Sequence, residues 1–140
     1  MNRILSILFL AIAGCATLSA QAAVDNDDLV KYRRNLMDAN GGLMAASSAI
    51  LQNKVSDKAR LAPFAQALGN LNRNIAAQFP KGSASPDSDA LPVVWSKRAD
   101  FERLASNAEA KAATFAKAPS MKSYDDLSEA CKSCHKDFRK

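Results

Sequence analysis

Cys131-Lys132-Ser133-Cys134-His135-Lys136-Asp137-Phe138-Arg139 lies at the C-terminal end of a 140-residue sequence and is its most informative stretch. Cys131 and Cys134 are three residues apart, so on a helix they share one face about one turn apart. C-x-x-C-H is the attachment signature of c-type haem. The two thiols can add to the two vinyl groups of one porphyrin, and the imidazole of the next residue can reach the iron as its proximal ligand. A thioredoxin-like redox pair would expect a βαβ context, and this sequence shows no strand pattern. A structural zinc site needs about four ligands from Cys, His or carboxylate. His135 is the one histidine of the chain, and Cys15 is the one other cysteine.

At the N-terminus, Met1-Asn2-Arg3 precedes the apolar run Ile4 to Gly14, and small residues follow to Ala20-Gln21-Ala22. This is the layout of a secretory signal peptide, with cleavage expected after Ala22. Residues 1–22 are read as the signal and 23–140 as a single domain exported to the periplasm. Ile12-Ala13-Gly14-Cys15 also resembles a lipobox, which leaves acylation of Cys15 as the minority alternative. An uncleaved anchor fits less well, because a spanning helix needs about 20 predominantly apolar residues. Nothing after residue 23 has that character, so no stable membrane insertion is expected.

The full chain carries 19 Lys and Arg against 14 Asp and Glu. Cleavage removes Arg3 and no acid, which leaves a net charge of +4 on the mature chain. The basic residues are spread out, as on a solvated surface or a docking face for an acidic redox partner. A basic stripe with interleaved aromatics is lacking, which argues against nucleic acid. Only Cys131 and Cys134 remain after cleavage, too close in sequence to staple a fold, so an exported chain of this size needs another source of core. A buried haem would supply it.

Alanine is abundant and β-branched residues are sparse, which favours helix. The first helix is expected from about Asp27 to Gln52, where Leu29, Leu36, Leu43 and Ile50 recur beside Val30, Met37, Met44 and Leu51. Two adjacent seven-residue rows make one broad apolar face. A second helix is expected from about Asp57 to Gln78, capped by Ser56, with Pro63 imposing a kink or a later start. Lys81 to Ala90 reads as a loop. A third helix should open on Pro92 and run to about Lys117, stopped by Ala118-Pro119. A fourth should start near Ser123, with Ser123 and Asp126 as a capping box. The expected fold is all-α, an antiparallel four-helix bundle.

With a single histidine, a bis-histidine haem is impossible. The sixth iron position must be empty or filled by a methionine, a lysine or an exogenous ligand. Met37, Met44 and Met121 are the mature methionines. Met37 and Met44 lie about 10.5 Å apart along the helix, so at most one faces the iron.

The sequence resembles the cytochrome c′ and cytochrome c-556 group over essentially the whole mature chain. The resemblance rests on Lys31-Tyr32-Arg33-Arg34-Asn35-Leu36-Met37, on Phe79-Pro80 with Lys81-Gly82-Ser83, on Leu91-Pro92-Val93-Val94-Trp95 followed by Phe101, and on the C-terminal haem motif. It implies one covalently attached haem c packed inside the bundle near the C-terminal helix, with the first helix over its distal face. It implies that Arg33 lies near a haem propionate. Arg139, one turn after His135, could place positive charge near the proximal imidazole. By the same resemblance Met37 decides the function. In cytochrome c-556 a methionine at this position binds the iron; in cytochrome c′ an apolar residue crowds a five-coordinate iron.

The sequence reading therefore puts first a single-electron carrier, with His135 and Met37 as iron ligands and redox proteins as partners. The alternative is a five-coordinate protein that binds nitric oxide or carbon monoxide. No enzyme is expected, since no second histidine is available as an acid–base group. A monomer would accompany the first reading and a homodimer the second.

Overall fold

The computed structural model describes residues 25–140. The expected signal peptide, its cleavage site and the Cys15 lipobox lie outside the described residues. Five helices follow in order: α1 Asn26–Leu51, α2 Leu61–Leu71, α3 Val93–Ser96, α4 Arg98–Lys117 and α5 Met121–Phe138. Four of them form the bundle, and α3 is a single turn leading into α4.

α1 starts where acidic residues complement the positive helix end. The Asp25 carboxylate caps it, accepting from the Asp27 N–H over 2.8 Å. Asn53, in the left-handed region at φ 55°, turns the chain away just after it ends.

The expected second helix is shorter at both ends. Lys58–Arg60 forms a 3₁₀ turn and α2 starts at Leu61. Pro63 then falls in the first turn, where its missing N–H costs no helical bond, so it bends nothing. α2 stops at Leu71 because Asn72 caps it and Asn74 takes a left-handed φ of 53°. Ile75–Gln78 is a separate 3₁₀ turn.

The expected third helix is broken in two at Lys97, whose φ of −110° and ψ of 49° are not helical. The break orients Arg98. Its guanidinium donates to Phe79 O over 2.7 Å and Ala76 O over 2.9 Å, and pairs with Glu102 at 2.8 Å. The start of α4 thereby holds the 3₁₀ turn after α2 in place.

The capping box of the last helix lies three residues earlier than the sequence suggests. Ser120 is the cap and Ser123 its partner, each bonding the other's backbone N–H. The C-terminal end is pinned to the long loop by an isolated bridge between Ala90 and Arg139 and by the Leu91 N–H on Phe138 O, 2.9 Å.

α2 packs against α4 and α1, and α4 against α5. Gly69 permits the α2–α4 approach, since a Cβ there would sit 3.0 Å from the Ala116 Cβ. One core cluster joins Ala65, Leu68, Ala112, Phe115 and Leu127, and a second joins Phe79, Val94, Phe101 and Phe138. Cys131 packs on the first and Cys134 on the second. α1 and α5 barely touch, and the core is left open between them.

Candidate functional site

The opening between α1 and α5 is a cavity of about 340 Å³. α5 contributes Cys131, Cys134, His135 and Arg139 to its wall; α1 contributes Arg33, Met37, Asn40 and Met44. The α1 residues fall at three-, four- and seven-residue intervals, which is one helix face. Val94, Phe101, Ala105 and Ala108 supply an apolar floor. Met121, the third mature methionine, is exposed and is not among the cavity-lining residues.

Cys131 and Cys134 are free thiols, half-buried at the cavity wall. Burial raises the pKa of Cys131. Burial, then Cys131 and Asp137, push Cys134 up to about 11. Both are neutral thiols at ordinary pH rather than the thiolates a metal would need. His135 is exposed to the open cavity, yet the surrounding protein still desolvates its ring, and this with Arg139 lowers its pKa. A neutral imidazole keeps a nitrogen lone pair for a metal.

Arg33 is 4 % exposed, and its environment is unusual for a cation. Nη1 donates to Ser83 Oγ over 3.0 Å and Nη2 to Ser83 O over 3.1 Å. The guanidinium carbon lies 4.9 Å from the Phe79 ring centre and 5.9 Å from that of Trp95. Trp95 is held by its own Nε1–H on Pro80 O, 2.8 Å. Burial lowers the Arg33 pKa. Among the described residues no carboxylate pairs with it, and Nε is buried without a hydrogen-bond partner. A buried cation of this kind calls for an anion.

These observations fit a covalently held haem. Two neutral thiols one turn apart would form its thioethers, a neutral imidazole would meet its metal, and the apolar floor would pack its ring. A propionate would supply the anion that Arg33 and its orphaned Nε lack. The structure brings Cys131, Cys134, His135, Met37 and Arg33 to one cavity, as the sequence suggests. Sequence reasoning missed Asn40 and Asn72, both buried and both on the cavity wall. An asparagine set between Met37 and Met44 on an apolar helix face was the legible signal.

An all-α bundle with a C-x-x-C-H haem site on its last helix defines a c-type cytochrome of the four-helix kind. Residues 28–139 match the family described as Cytochrome C′, and the chain belongs to that family. It carries a covalently attached haem c. A cytochrome c′ of Pararhodospirillum photometricum is 35 % identical over 118 residues, covering 79 % of this chain and 94 % of its own. A cytochrome c-556 of Rhodopseudomonas palustris is 30 % identical over 141 residues, covering 91 % and 93 %. Among solved structures, the nitrosyl complex of a variant of cytochrome c prime from Alcaligenes xylosoxidans superposes with a TM-score of 0.77 at 21 % identity. The match covers 84 % of this chain and 99 % of that one, and at this identity it speaks for the fold alone.

Proposed function

We propose that this protein is a periplasmic cytochrome that binds nitric oxide or carbon monoxide on a five-coordinate haem iron held by His135. The observation that carries the reading is the apolar cavity between the barely touching α1 and α5, with His135 on its wall. Membership of the cytochrome c′ family supports it, as does the 35 % identity to a cytochrome c′ over most of the chain. The haem iron supplies a metal centre with affinity for diatomic gases. The chain's residues do the rest. Cys131 and Cys134 fix the ring, His135 holds the metal from α5, and Arg33 neutralises a propionate. Val30, Met37 and Met44 on α1 present apolar bulk to small ligands and keep larger ones out.

This reverses the order that Met37 suggested in the sequence. The electron-carrier reading remains the second one, because Met37 and His135 line the same cavity and a cytochrome c-556 is among the relatives. Thioether ligation would favour the ferrous state and raise the potential. Redox proteins would then be the partners, met through a basic surface. Neither reading makes the protein an enzyme, since its one histidine is committed to the iron and no imidazole is left for acid–base work. Residues 1–22 are proposed as the export signal, with 23–140 as the single mature domain. No helix of the described residues is long and apolar enough to cross a membrane.

The visible spectrum of the purified haem protein, oxidised and reduced, with and without carbon monoxide, tests the choice. A high-spin spectrum that shifts with carbon monoxide is the expected result. A low-spin spectrum with a methionine-to-iron charge-transfer band, unmoved by carbon monoxide, would replace this reading with the electron carrier.

A further inference from the structure

The distal wall of a gas-binding cavity built on α1 would be expected to be apolar throughout, and two buried carboxamides interrupt it. Asn40 is 9 % exposed and Asn72, at the end of α2, is 3 % exposed. Both line the cavity that holds Met37 and His135. Asn40 stands three residues after Met37, one turn further along the same helix face.

Their hydrogen bonds fix each other's orientation. Asn72 Nδ2 donates to Asn40 Oδ1 over 2.7 Å and to Leu68 O over 2.8 Å. Both protons of that amide are therefore used, and its nitrogen cannot exchange places with its oxygen. Asn40 Oδ1 is thereby committed as an acceptor, which leaves Asn40 Nδ2 as the donor. One of its two protons goes to Leu36 O over 3.0 Å. Among the described residues the other has no protein acceptor. A buried primary amide has two protons to satisfy, and the second is presented by a side chain at the cavity wall.

We infer that Asn40 donates this second N–H to the outer atom of a diatomic ligand bound to the iron, and that Asn72 acts as the positioning residue that holds Asn40 in that orientation. The inference rests on the gas-binding reading. Its physical consequence is selectivity. A hydrogen bond strengthens as the ligand's outer atom becomes more negative, so a polar adduct gains more than a weakly polarised one. Asn40 would then favour nitric oxide over carbon monoxide beyond what an apolar wall gives. A purely architectural role, tying α1 to α2, would leave the bound ligand untouched.

The test is the C–O stretching frequency of the ferrous carbon monoxide adduct of the holoprotein. Asn40→Leu is expected to move the band upward, because the donor that draws electron density onto the outer oxygen is gone. Release of nitric oxide should quicken by on the order of fivefold, the equivalent of one net hydrogen bond. Asn72→Leu, which frees the Asn40 amide to rotate, should broaden the band. Should these variants fail to fold, the wild-type adduct answers by itself. Transfer from H₂O to D₂O is expected to shift its band slightly, through the deuterated amide. A band that moves neither with Asn40→Leu nor with deuterium overturns the inference while leaving the gas-binding reading in place. A wild-type protein that forms no carbon monoxide adduct overturns both.

Discussion

Arg33 on α1 donates to Ser83 Oγ over 3.0 Å, across fifty residues of sequence, and this bond ties the cavity-lining face of the first helix to the long loop. Ser83 is 2 % exposed and passes its own proton to Pro80 O over 2.8 Å. The turn is possible because Gly82 takes a φ of 84°, a conformation that glycine adopts without strain. The loop that reads as mere connection is thus a cradle for a buried cation.

Arg33→Gln should test both halves of that arrangement. The shorter neutral side chain cannot reach Ser83 and the cavity at once. Stranding the buried Ser83 groups costs about 1–3 kcal/mol, readable as a lower urea midpoint. The variant would also leave a propionate without its cation. Negative charge near the ring stabilises ferric iron, so its reduction potential should fall. An Arg33→Gln protein with unchanged potential would place the propionate elsewhere.

Met37→Leu separates the two functional readings by a different route from the gas spectrum. If the iron is five-coordinate, Met37 is only a flexible packing residue, and leucine of similar volume is tolerated at a cost under about 1.5 kcal/mol. The expected outcome is a high-spin spectrum indistinguishable from wild type. Loss of a charge-transfer band in the variant would show that the wild-type thioether was bound.

How far the sequence reaches differs between the cavity and its surroundings. Cys131, Cys134 and His135 stand out in the sequence because haem attachment calls for a fixed spacing within one helix turn, and the structure places all three on one cavity wall. Met37 and Arg33 were legible by resemblance, at positions on one helix face. The interruptions at Asn74 and Lys97 were not. Each lies where a seven-residue apolar spacing runs on unbroken, through Leu61, Leu68 and Ile75 and through Val94, Phe101 and Ala108, and the chain departs from helix there because the tertiary structure uses the break. Arg98 reaches Phe79 O and Ala76 O only because Lys97 turns the chain before α4 begins. The serine cap was misplaced for a local reason: Ser120 and Ser123 both suit a cap, and Pro119 admits the helix after either one.

Cys131 and Cys134 bear on stability as well as on chemistry. With α1 and α5 barely in contact, a ring held by both cysteines would join the two core clusters that Cys131 and Cys134 separately touch. A Cys131→Ala, Cys134→Ala protein that lacks haem should therefore lose sharp cooperative unfolding in urea. Its near-ultraviolet circular dichroism should collapse while the far-ultraviolet helical signal is largely kept, as expected when packing is lost before helices. Wild-type cooperativity in that variant would mean that the bundle closes its core without the cofactor.

The α2–α4 contact offers a test free of haem chemistry. Gly69 lies inside α2, in its last turn, and alanine is intrinsically better than glycine in a helix by up to about 1 kcal/mol. Here a Cβ would meet the Ala116 Cβ at 3.0 Å, on a helix anchored by the fully buried Phe115 and Ala112. α4 cannot give way without disturbing that core, and overpacking of this kind costs about 1–3 kcal/mol. Gly69→Ala should therefore be destabilising by roughly 1 kcal/mol, against its propensity. Ala116→Gly should cost a similar amount on propensity alone. Because each glycine makes room for the other residue's Cβ, the double variant should be more stable than the two single changes sum to, a coupling that a urea double-mutant cycle measures directly. Strict additivity would mean that the helices separate freely, and that the close approach at Gly69 is not what sets the spacing of α2 and α4.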